Sequence, residues 1–255
     1  MEVIQSKQNP KIKAWKKLAT SKGRQKAGQY LIEGTHLVEE ALKSGQNVRH
    51  LVATPDYDLS QLPNQALSLP LLLVSPELLK DLSETPTPQG IMAIIDLPSS
   101  PLGWQPSGQR YLILDAVQDP GNLGTLIRTA DAAAYDGVIL GKGTVDVYND
   151  KVLRASQGSL WHLEVFSLDL LQEARPAFEA AGIPWLVTAL HQEAKAYTDL
   201  PSDQALALVL GNEGQGVSEE VIQVADQTIY IPMPGQAESL NVAVAGGILM
   251  FYFQA

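Results

Sequence analysis

From Arg110 onward the chain alternates short apolar runs with helical stretches, and this alternation limits the fold more than any other feature. Strands are expected at residues 111–115, 137–140, 163–166, 184–189, 206–210 and 228–231, with helices opening near Leu123, Asp150, Leu170 and Ser218 and a last one at the C-terminus. Runs of four to six apolar residues are too short for helices and read as strands buried on both faces. Strands of that kind separated by helices predict an α/β unit with a mostly parallel sheet covered by helices. The run 205–210 is followed by a corner with three glycines in six residues, Gly211-Asn212-Glu213-Gly214-Gln215-Gly216, and then by a helix that Ser218 can cap. Strand, glycine corner and helix is how open α/β sheets form a ligand crevice at strand ends. It is also how they form a simple tight turn.

The first part of the chain predicts a second, smaller α/β unit. Residues 9–18 read as a helix with Pro10 in its first turn, an apolar stripe of Ile12, Trp15 and Leu18, and lysines elsewhere. Strands follow at 28–33, 48–54, 71–74 and 90–96, with helices at 35–44 (Leu37, Val38, Ala41 and Leu42 inward) and 76–82. Residues 98–108 hold three prolines, two glycines and three serines, a linker composition. The expected organisation is therefore residues 1–97, a linker at 98–109, and residues 110–255.

The formal net charge is −10, but residues 1–50 carry ten Lys and Arg against four acids, a net of +6, which leaves −16 for the rest. A basic arm on an acidic body is the footprint of a polyanion-binding segment. Lys11, Lys13, Lys16, Lys17 and Arg24 are the candidate phosphate contacts. A solvated basic helix is the alternative. The absence of cysteine excludes disulfides and thiolate metal sites and fits a reducing cytoplasm. No signal peptide is expected at the N-terminus, and the apolar run 242–253 is too short to span a bilayer. His36, His50, His162 and His191 lack ligand spacing, so no metal site is expected.

Three segments carry the chemistry. The first, residues 115–130, places Asn122 after a Pro-Gly turn as a candidate helix cap. Leu123, Leu126, Ile127 and Ala130 face inward in this segment, and Arg128 lies off that stripe. Arg128 has room to reach a phosphate or a ligand hydroxyl; an ion pair with Asp131 is an equal alternative. The second is the glycine corner with its one acid, Glu213. The third, residues 229–245, ends a strand in a Pro-rich turn and opens an apolar helix, with Ser239 as the expected cap. Ser239 and Asn241 either satisfy the free N–H groups of that helix or face a ligand between two loops. Lys151 and Arg154, in a helix opening at Asp150, are candidates for RNA or subunit contact, or for plain surface pairing.

Together these segments resemble the SpoU-type, TrmH-like RNA 2′-O-ribose methyltransferases of the SPOUT fold. The resemblance rests on Asp119-Pro120-Gly121-Asn122-Leu123-Gly124-Thr125-Leu126-Ile127-Arg128-Thr129-Ala130, on Leu210 to Gly216, and on Ile231-Pro232-Met233 with Glu238-Ser239-Leu240-Asn241-Val242-Ala243, in that order. Residues 1–97 are similar, more loosely, to the small substrate-binding domain, related to a ribosomal-protein fold, that many members carry. The resemblance implies a trefoil-knotted C-terminal domain, a homodimer whose active site both subunits line, and S-adenosylmethionine as cofactor. It implies that Leu210, Gly211, Ile231, Met233 and Leu240 hold the cofactor, with Thr188 at its edge. It also implies a catalytic set of Arg128, Asn122, Glu213, Ser239 and Asn241. The reaction it implies is 2′-O-methylation of RNA, most plausibly 23S ribosomal RNA, with tRNA or an antibiotic-resistance site in ribosomal RNA as alternatives. A non-catalytic RNA-binding module with a degenerate pocket is disfavoured by the intact motif residues. A nucleotide hydrolase using Glu213 as base is disfavoured because no phosphate-binding lysine loop occurs.

Overall fold

The computed structural model describes residues 2–99, 103–190 and 193–254; the centre of the expected linker and His191 lie outside the described residues. The chain divides into two compact units, one of residues 1–99 with 148–161, the other of residues 100–147 with 162–255. The segment 148–161 lies between the first and second motifs in sequence yet packs with the first unit. No described helix is long and apolar enough to cross a membrane.

The first unit is a mixed five-stranded sheet with helices. Strand β1 (Glu2–Ile4) is followed by α1 (Pro10–Lys16), α2 (Ser21–Ala27), β2 (Gln29–Glu33), α3 (Thr35–Lys43), β3 (Val48–Ala53), β4 (Leu71–Val74), α4 (Pro76–Leu82) and β5 (Ile91–Asp96). Their order in the sheet is β1-β4-β3-β5-β2, with β1, β4 and β3 parallel and β5 antiparallel to both β3 and β2. Sequence chemistry sets the helix ends. Asn9 Oδ1 accepts the Lys11 amide at 2.8 Å ahead of Pro10, Thr20 caps α2, and Gly28 at φ +63° stops it. Ile12, Trp15 and Leu18 bury their stripe against Leu78, Leu79 and the sheet. Strand β1 and helix α2 were not foreseen: one is three residues long, and the other carries mainly polar side chains.

The second unit holds a seven-stranded sheet in which every described pairing is parallel. Its elements are β6 (Arg110–Asp115), α5 (Pro120–Ala132), β7 (Gly137–Leu140), β8 (Glu164–Ser167), a π-turn at Leu170–Ala174 running into a helix at Arg175–Ala180, β9 (Trp185–Thr188), β10 (Lys195–Ala196), β11 (Leu206–Gly211), a short helix at Glu219–Gln223, β12 (Gln227–Tyr230) and a C-terminal helix at Val242–Tyr252. Between β7 and β8 the chain visits the first unit as α6 (Asp150–Ser156). There Trp161 Nε1 donates to the Tyr30 hydroxyl at 3.0 Å, and Tyr148 lies against the Tyr30 ring. The remaining helices are numbered α7 (Arg175–Ala180), α8 (Glu219–Gln223) and α9 (Val242–Tyr252).

The strand order β10-β12-β9-β11-β6-β7-β8 puts β11, late in sequence, beside β6, the first strand of the unit. β6, β7 and β11 are buried along nearly their whole length, as continuous apolar strands must be at the centre of a covered parallel sheet. Because β6, β11, β9 and β12 run parallel, their C-terminal ends open on the same side, and the three expected motifs follow the ends of β6, β11 and β12 there. Helices α5 and α9 approach closely at Gly246, where a Cβ would meet Leu126 Cδ2 at 2.4 Å.

Two helix starts differ from expectation. Asp119, not Asn122, caps α5: its Oδ1 accepts the Asn122 amide at 2.8 Å. Pro120 takes the first helical position, so the helix begins one residue after Asp119 and Asn122 falls inside its first turn. Likewise Asn241, not Ser239, caps α9, accepting the amides of Ala243 at 2.9 Å and Val244 at 3.3 Å. Residues 239–240 remain irregular ahead of it. Ser218 does stand at the head of α8, but its hydroxyl serves elsewhere.

Candidate active site

A cleft of 580 Å³ opens at the C-terminal ends of β9, β11 and β12. All six residues expected to hold the cofactor line it: Thr188, Leu210, Gly211, Ile231, Met233 and Leu240. Gly211 is needed there for a steric reason, since a Cβ would lie 2.1 Å from both Gly216 C and Val217 N. Without a side chain at 211, the corner folds back over the strand end, and Asn212 and Gly216 exchange two backbone hydrogen bonds of 2.9 Å. Across the cleft, among the described residues, no backbone hydrogen bond closes residues 233–240, so their amides and carbonyls stand open to a ligand. The Thr188 hydroxyl donates to the Val209 carbonyl at 2.9 Å, which leaves its oxygen to face a ligand as an acceptor only.

The three motif loops are tied by one chain of hydrogen bonds. The Glu213 carboxylate accepts from the Gln118 amide at 3.1 Å, the Asp119 amide at 3.0 Å and Asn122 Nδ2 at 3.1 Å. Asn122 Oδ1 in turn accepts from Asn241 Nδ2 at 2.9 Å. Since Asn241 also caps α9, a single relay joins the corner after β11, the first turn of α5 and the last helix. Glu213 therefore lacks a basic partner but not donors. Burial works against its charge, and the bonds from Asn122, Gln118 and Asp119 outweigh it, so the carboxyl sits below its ordinary value. Ser239 lines the cleft beside Asn241 without entering the relay.

Arg128 lies six residues beyond Asn122, about 9 Å further along α5 at 1.5 Å per residue. It is exposed and makes no hydrogen bond or ion pair with the described residues. Asp131, the alternative partner for it, accepts from or pairs with His162 Nδ1 at 2.9 Å instead. Arg128 is not among the lining of the cleft. The guanidinium is thus available to a ligand or a second chain.

Sequence reasoning missed a second set of supports. Asp115, at the end of β6 and 9 % exposed, accepts the Ser218 amide at 2.8 Å and the Ser218 hydroxyl at 2.6 Å. This anchors the far end of the glycine corner, and it is where the Ser218 hydroxyl is spent. Asn212 Nδ2 donates to the Ala116 carbonyl at 2.9 Å, while its Oδ1 accepts the Gly214 and Gln215 amides. An acid closing an apolar strand and an Asn opening a glycine turn were the available signals.

The lysine arm is less uniform than its sequence. Arg24 is buried and its Nη1 donates to the Leu18 carbonyl at 2.8 Å, so it braces α2 instead of meeting a phosphate. Lys16 and Lys7 both pair with Asp81. Lys13 and Lys17 are exposed, and Lys11 is partly so. Arg154 pairs with Asp150 within α6, the surface pairing weighed above.

The cleft fits a compact organic cation. Its charged lining residues are Glu213 and Glu238, with no Lys or Arg among them, and its walls combine aliphatic side chains with open backbone. S-adenosylmethionine, with an adenine, a ribose and a sulfonium, matches that set of apolar, hydrogen-bonding and negative surfaces.

The comparisons agree with this geometry. The SpoU rRNA methylase family model matches residues 109–251, and the MRM3-like substrate binding domain matches residues 9–93. The chain is 42% identical to the 23S rRNA (guanosine(2553)-2′-O)-methyltransferase RlmP of Bacillus subtilis, with 100% of each chain covered. It is 30% identical to the 23S rRNA (uridine(2479)-2′-O)-methyltransferase of Streptomyces viridochromogenes over 95% of this chain and 88% of that protein. Among solved structures it is similar to the AdoMet-bound rRNA methyltransferase of Sinorhizobium meliloti, with a TM-score of 0.88, 30% identity, and 99% and 97% of the two chains covered. A cofactor-shaped cleft built from three linked motif loops, in a chain that these relatives match along its length, leads to one conclusion: the protein belongs to the SpoU rRNA methylase family of S-adenosylmethionine-dependent RNA 2′-O-methyltransferases.

Proposed function

We propose that the protein methylates a ribose 2′-oxygen in 23S ribosomal RNA. The observation that carries the reading is the Glu213–Asn122–Asn241 relay around the cofactor cleft, in a chain whose full-length relative of 42% identity is named for 23S rRNA. When bound, S-adenosylmethionine supplies an electrophilic methyl group on a sulfonium. The chain's part is to hold the ribose hydroxyl in line with that methyl, since positioning accounts for much of the rate of such a displacement. Gly211, Leu210, Ile231, Met233 and Leu240 set the cleft's shape, and the relay keeps its three loops in register. Arg128 binds and orients the target nucleotide through its phosphate or ribose. A guanidinium has donors and no acceptor and is a poor base, so Arg128 orients the hydroxyl, and the proton that the hydroxyl loses on methylation passes to solvent water.

The active form we propose is a homodimer with both subunits lining each site. Two features support it. Val244, Ile248 and Phe251 are exposed along one side of the last helix, at spacings of four and three residues, and Leu240 is exposed just ahead of it. Arg128 stands outside the lining of its own chain's cleft, as a group serving the partner's site would. A trefoil knot formed by the C-terminal segment, the basic N-terminal unit as the RNA-selecting domain (residues 1–97, with 98–109 as linker) and a cytoplasmic location complete the proposal. The test is methyl transfer from labelled S-adenosylmethionine to 23S rRNA and to ribosomal assembly intermediates, followed by nucleoside mapping. Label in a 2′-O-methylated nucleoside of 23S rRNA is the expected result. Label confined to tRNA would move the substrate, and no transfer without cofactor binding would overturn the enzyme reading.

A further inference from the structure

A second cleft, of 760 Å³, lies wholly within the first unit and takes no part in the site above. Its size is in the range of pockets that enclose a small organic molecule, about 300–1,000 Å³. Helix α4 forms one wall, and three loops form the rest: the turn after β2, the segment after β3 and the segment before β5. Each is pinned. The Glu33 carboxylate accepts the hydroxyls of Ser83 and Thr85, both at 2.7 Å, which fixes the approach to the third loop. Gln89 Oε1 accepts the Thr35 amide at 3.1 Å, and the Thr35 and Tyr57 hydroxyls share a hydrogen bond of 2.9 Å. Gly90, at φ +84°, lies under the Tyr57 ring, where a Cβ would come within 3.4 Å of Cδ2. The cleft is therefore held open by bonds within its walls.

Its chemistry is unlike that of the lysine arm on the same unit. The charged side chains lining it are Asp56, Asp58 and Lys80, a negative balance that repels phosphate. Its apolar walls are the half-buried Tyr57 ring, Leu79 and the prolines at 76, 86 and 88. Its polar rim offers acceptors, the Asp56 carboxylate above all, and the Gln89 side-chain amide. A flat ring with hydrogen-bond donors on its edge meets both surfaces; a sugar-phosphate backbone meets neither. Unpaired RNA bases are recognised in this manner, by stacking on aromatic rings and by bonds to their edges.

We propose that this cleft captures one unpaired nucleobase of the RNA substrate, with Tyr57 as the stacking platform and Asp56 and Gln89 reading the edge. The inference rests on the RNA-methyltransferase reading, and it adds a base-specific contact to an arm whose lysines carry no sequence information. All the residues lining the cleft fall within the 9–93 match to a substrate binding domain.

The test uses the full-length protein and fluorescently labelled 12-nucleotide RNAs, one a mixed-sequence single strand and one the matching duplex, followed by anisotropy. Base stacking is worth about 1–3 kcal/mol per base, so Tyr57→Ala is expected to weaken single-strand binding about tenfold to hundredfold. Duplex binding and S-adenosylmethionine binding should stay unchanged. Tyr57→Phe, which keeps the ring and loses only the bond to Thr35, should restore single-strand binding to within about threefold of wild type. The slope of affinity with salt should be the same for all three proteins, because no phosphate contact is removed. Single-strand affinity unaltered by Tyr57→Ala would overturn the proposal. So would a Tyr57→Phe variant as weak as the alanine, which would assign the effect to loop shape. Because these readouts need no methyl transfer, failure of the transfer assay sinks the enzymatic reading separately.

Discussion

Arg128 and Glu213 were both legible in the sequence, but for different reasons, and the structure treats them differently. Arg128 was visible as a charged residue off an apolar helical stripe, and it remains an exposed side chain without a described partner. Arg128→Ala should lower kcat for RNA methylation by about 100-fold or more, with the S-adenosylmethionine Kd within twofold; single-turnover kinetics and calorimetry check both. Near-normal turnover would remove Arg128 from the mechanism. Glu213 was visible only as an acid in a glycine corner, and nothing local in sequence says that its three donors come from residues 118–122. Glu213→Gln puts an NH₂ where one acceptor oxygen stood, so at least one donor loses its partner. Cofactor affinity should fall about tenfold, the worth of one hydrogen bond to a charged group. The pH dependence follows from the carboxyl lying below its ordinary value of 4.5 in the fold. Its stabilisation is fully present above that ordinary value and is lost as pH falls through the lowered folded value. Thermal melts from pH 7 down to 3 should thus show a larger acid loss for the wild type than for Glu213→Gln, in which Asp226 and Asp81, also below their ordinary values, still titrate.

At the scale of elements, apolar patterning located the principal strands, and polar chemistry misplaced two helix starts. Asn122 and Ser239 are both good capping residues by type. Each lost the position to a neighbour that is equally good, Asp119 because Pro120 can occupy the first helical position, and Asn241 because residues 239–240 stay irregular above the cleft. The consequence is functional: Asn122, freed from capping, offers its side chain to Glu213 and Asn241. The corner after β11 depends on a missing side chain. Gly211→Ala would drive a Cβ into backbone atoms of residues 216 and 217, which cannot swing away as a side-chain end can. We expect a loss of about 1–3 kcal/mol in chemical denaturation. We also expect loss of measurable cofactor binding, because the moved backbone is the cleft wall. A variant that binds S-adenosylmethionine normally would show that the corner can relax without harm. The short β10 and the detour of α6 had no sequence signal of this kind, since two residues carry no periodicity and packing partners are not written locally.

For the whole molecule, the exposed row on α9 carries the prediction. Phe251→Asp, at a position 48% exposed in the single chain, should leave that chain's fold intact and convert the proposed dimer to a monomer in light scattering. Methyl transfer should fall with it if each site draws on both subunits, whereas a fully active monomer would exclude that arrangement. What the sequence determined by itself is what local periodicity can encode: an α/β chain with a parallel sheet in its second part and a basic N-terminal arm; the residues that line the cleft were indicated by the resemblance of three ordered motifs. Strand hydrophobicity and glycine spacing act over a few residues, so they survive reading in one dimension. Only the tertiary structure decided which parts of that pattern meet. It returned β11 to the side of β6, and this brought Glu213 within reach of residues 118–122. It buried Arg24 and tied Lys16 to Asp81, narrowing the arm that sequence alone had left uniform. It also opened the Tyr57 cleft from loops more than fifty residues apart. Contacts of that separation depend on how the strands are ordered in the sheet, and that order is settled by the packing of the whole chain.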